Sequence, residues 1–198
     1  MINYLVGNNI ILRKAKISDL DYIYNNIWSD RNIASFMFWE PTSTYTDAID
    51  RLNRSIEFQK NNYAYFICLK SSDEPIGFCG IKETMPGIFC ETGLCIASFY
   101  QSKGYGKEVL GLLLDLAFNK LHALKFIYAC REDNIKSIRL CQSFRFKFLY
   151  LKKELRKWDN KEFVCKYFEL SKNNYLEDIL WLLKILLFYL VRKLKIWW

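Results

Sequence analysis

The chain has 198 residues, 52% hydrophobic and 17% aromatic, with 8 Gly and 3 Pro. That is enough apolar mass to bury one full core, and it excludes a disordered, collagen-like or linker-rich chain. The 29 Lys and Arg against 21 Asp and Glu leave a net charge of +8, which attracts an anionic cofactor, nucleic acid or a membrane surface without choosing among them; a nucleic-acid partner would rest on this charge alone and is not expected.

From Met1 to Arg13 no basic segment precedes an unbroken apolar run, so no secretory signal is expected. Ile10 to Arg13 reads as a strand, and Ser18-Asp19 opens a helix with Leu20, Ile23, Ile27 and Trp28 at helical spacing. Pro41 marks a loop. Thr44 or Thr46 then caps a second helix that carries Ile49, Leu52, Ile56 and Phe58 to about Lys60. Ala64 to Leu69 and Ile76 to Ile81 are β-rich runs parted by a polar turn, the pattern of a hairpin, and Phe89 to Ile96 is a third run. After Gln101 to Gly106 the spacing of Val109, Leu112, Leu113, Leu116, Ala117 and Leu121 predicts an apolar helix. Phe126 to Cys130 reads as a buried strand, Asn134 to Ser143 as a short helix, and Phe146 to Leu151 and Phe163 to Leu170 as closing strands. The fold class is mixed α/β with hairpins.

The seven cysteines, Cys68, Cys79, Cys90, Cys95, Cys130, Cys141 and Cys165, are odd in number and nowhere spaced C-x-x-C, which argues against a disulfide framework. With His122 the only histidine, no metal site is expected. Reduced thiols and a cytoplasmic location follow as expectations.

In Gln101-Ser102-Lys103-Gly104-Tyr105-Gly106-Lys107 a strand ends, two glycines permit close backbone approach and a helix begins, which aims free amides at an anion. The bland reading is a plain strand-to-helix connection. The loop has neither the final G-K-S/T of a Walker A motif nor the three glycines of a dinucleotide fingerprint, so kinase and dehydrogenase readings fall.

Leu94-Cys95-Ile96, then five residues later Gln101-x-x-Gly104-x-Gly106 and a helix, resembles the acetyl-CoA-binding motif of the GNAT N-acetyltransferase superfamily. Ile11-Leu12-Arg13-Lys14-Ala15 with Asp19-Leu20, Pro75-Ile76-Gly77, Glu91-x-Gly93, and Asn134-x-x-Ser137 with Phe144-Arg145-Phe146 follow in that family's order. The resemblance covers residues 9 to 170 and looks like the branch of ribosomal-protein N-terminal and small-molecule amine acetyltransferases. It implies a central mixed, mostly antiparallel sheet flanked by helices, in a domain of residues 1–172. It also implies acetyl-CoA as co-substrate, no metal, and transfer to a primary amine on a small molecule or a protein N-terminus by direct attack in a ternary complex.

By the same resemblance, backbone groups of Leu94, Cys95 and Ile96 pair with the pantetheine arm, and Gln101, Ser102, Lys103, Gly104, Tyr105, Gly106 and Lys107 hold the pyrophosphate. Asn134 and Ser137 touch the cofactor, or simply cap their helix. Glu91 matches a frequent base position, with Glu83 the substitute; an exposed strand carboxylate is the plain alternative. Trp39 and Glu40 offer an aromatic and acidic pair to a cationic acceptor, or Trp39 packs in the core with Phe36 and Phe38. Two positions depart from the family pattern. Cys141 stands where a proton-donating tyrosine is common, as a donor or as packing, and Arg145 stands where a glycine usually ends the helix. These departures and the tail motivate the rival class, a non-catalytic acyl-CoA-binding or membrane-associated interaction module.

Beyond the resemblance, residues 173–198 read as a hydrophobic or amphipathic helix. Ile179 to Val191 is apolar apart from Lys184, and at 100° per residue Glu177, Lys184 and Lys195 share one stripe. Such a helix would lie in a membrane surface or pack on the domain or a second subunit, a spanning anchor being third because Lys184 would sit at mid-bilayer.

Overall fold

Every residue from Ile10 to Arg13 is buried, because this short strand is covered on both faces. In the computed structural model, which describes residues 2–177, Ile10 and Leu12 of β2 (Ile10–Arg13) join a core with Val109, Leu113 and Phe126. Ile11 faces a second core with Ile23, Ile27, Trp28 and Leu52. One sheet thus separates two helical layers, the arrangement by which a mixed α/β chain hides both faces of its strands. Ahead of β2 runs a strand the sequence reading missed, β1 (Tyr4–Val6), whose three residues carry no buried alternation.

The expected first helix is broken. A 3-10 turn (Ile17–Asp19), α1 (Leu20–Ile23) and a π turn (Tyr24–Trp28) precede α2 (Arg31–Ser35), which Asp30 caps through the N–H groups of Asn32 and Ile33. The wider π turn buries both Ile27 and Trp28, which an ordinary helical turn would rotate apart. Arg13 locks this segment to β2 through two hydrogen bonds to Asp19, each 2.8 Å, with both side chains buried. Thr44, and not Thr46, caps α3 (Tyr45–Lys60), accepting the Asp47 N–H.

Next come β3 (Tyr63–Leu69), β4 (Pro75–Met85) and β5 (Ile88–Ile96), then α4 (Tyr105–Asp115) running into a π turn (Leu116–Lys120). The fold closes with β6 (Lys125–Arg131), α5 (Ile135–Gln142), β7 (Lys147–Arg156) and β8 (Lys161–Ser171). The strand order is β1-β2-β3-β4-β5-β6-β8-β7, antiparallel throughout except for β5 and β6.

That parallel junction shapes the molecule. Register between β5 and β6 runs only from Ile88 to Cys90, opposite Lys125 to Ile127, and then the strands part. The parting coincides with a slip against β4: Gly80 faces Gly93 and Ile81 faces Glu91, so Thr92 is an extra residue. Such a bulge bends its strand, and Gly93 absorbs the bend at φ 140°, in a region that side chains disfavour.

At the far end, residues 172–177 are helical and Tyr175 stacks on Phe118 with ring centroids 4.8 Å apart. The hydrophobic tail helix expected over 173–198, with its membrane-surface and self-association readings, lies from residue 178 onward outside the described residues. Among the described residues no helix is long and apolar enough to cross a membrane.

Candidate active site

The wedge between β5 and β6 is a cleft of about 950 Å³. Leu94, Cys95 and Ile96 form one wall, the loop before α4 a second and α5 a third. Two of these walls are tied together by Gln101, which donates to the Ile96 carbonyl (2.9 Å) and accepts from Lys136 (3.0 Å).

Gly104 is the N-cap of α4 with φ 89°, and Ser102 is also left-handed at φ 62°. Among the described residues no hydrogen bond takes the N–H of Ser102, Lys103, Gly104, Tyr105 or Gly106. Unpaired amides at a helix start, facing a cleft also lined by Lys107, Lys136 and Arg139, form an anion-binding cradle. A Cβ built on Gly104 meets nothing within 4 Å, so the space in front of the amides is open. This donor set fits the pyrophosphate of acetyl-CoA, and the unpaired side of β5 fits its extended arm.

Of the expected cofactor residues, Leu94, Cys95, Ile96, Gln101, Ser102, Gly104, Gly106, Lys107, Asn134 and Ser137 all line the cleft. Lys103 and Tyr105 are not part of that lining. The Lys103 ammonium sits over the Phe99 ring at 4.1 Å, and the Tyr105 ring packs by Tyr100. Asn134 does cap α5, accepting the Ser137 N–H at 3.1 Å, so the capping reading and the cleft position hold together.

Glu91 follows the last β5–β6 pair and precedes the bulge, and it is not part of the cleft lining. Its carboxyl accepts the Gly93 N–H, while Oε1 is buried with no partner among the described residues. Burial pushes its pKa up to about 8, with the Gly93 bond opposing. Glu83, the substitute, is spent on the β4–β5 turn, where it accepts the Gly87 N–H at 2.7 Å.

Tyr128 was not singled out in the sequence, yet it lines the cleft. On β6, buried and lining the cleft, its hydroxyl is hydrogen-bonded to Ser137 Oγ at 2.8 Å, and burial raises its pKa well above the ordinary range, with Glu91 adding to the shift. The signal was present: a hydroxyl inside the apolar run Phe126 to Cys130 needs a buried partner. Cys141 is fully buried, bonded through Sγ to the Ile138 carbonyl, with its pKa pushed up to about 12 by burial. That is a packing position. Arg145 adopts φ 56°, the left-handed turn for which a glycine was expected.

Phe36 and Met37 line the opposite rim. They are held by Arg156, which donates to the Ala34, Ser35 and Met37 carbonyls, and by Arg131, which donates to the Ser35 carbonyl. Trp39 and Glu40 do not form the expected aromatic and acidic pair. Arg51 covers a face of the Trp39 ring at 4.5 Å, and Glu40 is exposed, accepting from Arg51 only through its backbone carbonyl.

The acetyltransferase (GNAT) domain family matches residues 9–147. The chain is 26% identical to an N-acetyltransferase, p20, of Bacillus licheniformis over 86% of this chain and 97% of that one. In fold it is similar to spermidine N-acetyltransferase from Vibrio cholerae, solved with CoA and spermine (TM-score 0.69, 21% identity, 85% and 98% of the two chains). It is also similar to a ribosomal L7/L12 alpha-N-protein acetyltransferase (TM-score 0.72, 14% identity, 86% and 95%). The chain belongs to the GNAT acetyltransferase family and is an acetyl-CoA-dependent N-acetyltransferase.

Proposed function

We propose that this protein transfers an acetyl group to a primary amine by direct attack while both substrates are bound, with the amine on a small molecule or a protein N-terminus. The observation that carries this reading is the parting of β5 from β6 after Cys90, which brings an unpaired strand side and a cradle of free amides to one cleft, with the buried Glu91 carboxyl on the residue where the strands part. Acetyl-CoA supplies the activated acyl group and its thiolate leaving group. The chain supplies position and proton movement.

Backbone groups of Leu94 to Ile96 align the pantetheine arm, and one of their amides stabilises charge developing on the thioester oxygen. The amides of residues 102–106, with Lys107, Lys136 and Arg139, take the phosphates. Glu91 removes the ammonium proton, because an ammonium has no lone pair, and its pKa near 8 gives it basicity close to working pH. Tyr128 gives its proton to the departing sulfur: its phenol stays protonated at neutral pH and is oriented by Ser137. This fills the role for which Cys141, which does not line the cleft, is not placed.

Calorimetric titration of acetyl-CoA, with ATP and NAD as controls, tests the donor site. Saturable binding of acetyl-CoA alone, lost in Gly104→Glu, is expected, since the new carboxylate would occupy the open space before the amides. A folded parent protein that binds no acetyl-CoA overturns the reading.

A further inference from the structure

Among the described residues the two buried arginines each hold a carboxylate, whereas the half-buried Arg51 does not. Arg13 holds Asp19 through two hydrogen bonds, and Arg156 holds Asp159 through two more. Arg51 on α3 has no carboxylate partner among the described residues. Its guanidinium carbon lies over two indoles, 4.6 Å from the centroid of the Trp28 ring and 4.5 Å from that of Trp39. Only Nη1 is engaged, donating to Thr42 Oγ1 at 2.8 Å and to the Glu40 carbonyl at 3.5 Å. Nε and Nη2 have no described hydrogen-bond partner.

Arg51 borders a second cavity of about 180 Å³, walled by Trp28, Trp39, Phe78 and Gly93 among others. A second donor is also unspent there: Trp39 Nε1 is buried and has no partner among the described residues. The cavity and the acetyl-transfer cleft are lined by consecutive residues of β5, Gly93 for the one and Leu94 for the other. Burial lowers the Arg51 pKa to about 10, so the group keeps its charge at neutral pH.

We infer that Arg51 and Trp39 form a subsite for a carboxylate carried by the acceptor, so that the amine substrate is an amino acid or another carboxylate-bearing amine. The inference rests on the acetyl-transfer reading above. Two indole rings lie within 4.6 Å of the guanidinium carbon, and its Nε–Nη2 edge has no described hydrogen bond. The Nε–Nη2 edge offers two parallel N–H donors, the geometry that a planar carboxylate accepts in bidentate fashion. A desolvated cation without a counter-ion is costly, and a ligand carboxylate would relieve that cost. The same charge repels a polyamine from the indole face it covers. The cavity is also too small for a nucleotide, which restricts the anion to a compact group.

The test pairs each amino acid with the amine that lacks only its carboxylate, lysine against cadaverine and phenylalanine against phenethylamine, with spermidine as the cationic extreme. The carboxylate-bearing member should be acetylated with kcat/KM higher by about tenfold or more, as expected for one charge-assisted bidentate contact. Arg51→Met should abolish the preference while the acetyl-CoA Kd stays at the parent value. Equal or better use of the amines, or a preference that survives Arg51→Met, overturns the subsite. An independent arm titrates N-acetylphenylalanine and its amide calorimetrically. Binding of the acid alone, lost in Arg51→Met, supports the subsite even if no amine in the panel is acetylated, an outcome that would instead count against the transfer reading. No binding of the acid, or equal binding of both, overturns it. Should Arg51→Met fail to fold, Trp39→Phe removes one donor with most of the ring retained and should weaken the acid severalfold; unchanged affinity there overturns it as well.

Discussion

Glu91 gives up its proton only near pH 8 because burial disfavours its charge. As a base it must be ionised, so kcat/KM should climb with pH through about 8. In Glu91→Gln that limb should vanish and kcat should fall by roughly 10²–10⁴-fold, the usual worth of a positioned base. Stability moves with the opposite sign. A carboxyl whose pKa is raised by folding favours the fold at pH values below its unfolded pKa, and this contribution is lost as pH rises toward about 8. The melting temperature of Glu91→Gln relative to the parent should therefore increase between pH 5 and pH 9; a constant difference would argue that Glu91 is not desolvated. Tyr128→Phe keeps the ring and removes only the proton, so kcat should fall by about 10²-fold with the acetyl-CoA Kd unchanged, as measured by stopped assays and calorimetry. Glu91 could be singled out in the sequence because it precedes Gly93 in a motif; for Tyr128 the chain signals only a hydroxyl inside an apolar run, and not that β6 turns it toward α5.

At the level of elements, the bulge at Thr92 sets where β5 leaves β6. Gly93→Ala forces a side chain onto a φ of 140° and should cost about 1–3 kcal/mol in denaturant unfolding. It should also lower kcat, since the same bend carries Glu91. Unchanged stability and rate would mean that the bulge tolerates a side chain. The apolar helix α4 and the β3–β4 hairpin could be read from spacing because each buries most of its stripe; α3 could be read too, although of its expected face only Leu52 is buried while Ile49 and Phe58 are exposed. The break between α1 and α2 could not: the π turn is imposed by the need to bury Ile27 and Trp28 against the sheet, a tertiary demand that overrides local pattern. β1 was invisible for the opposite reason, having too little burial to leave a pattern. Two residues of the glycine-containing loop, Lys103 and Tyr105, were assigned to the cofactor by position alone, yet their side chains take up local aromatic contacts.

Across the whole molecule, the sheet is held to its first helical layer by a charge buried between them. Arg13 and Asp19 are 5% and 2% exposed, so Asp19→Ala leaves a guanidinium without its chief partner in the core. A loss of about 3–5 kcal/mol is expected in equilibrium unfolding, far above the effect of an exposed pair such as Lys60 with Glu57. The parted junction of β5 and β6 has a different reach. Three parallel register pairs join β1–β5 to β6–β8–β7, so without a ligand the sheet is two slabs linked at one corner. A ligand lying along β5 acts as a missing girder between them. Each catalytic cycle then stiffens and relaxes the scaffold, and the resistance of this protein to unfolding becomes a property of its solution as well as of its sequence: at a ligand concentration 100 times the Kd, the fold gains about 2.7 kcal/mol that no residue of the chain provides.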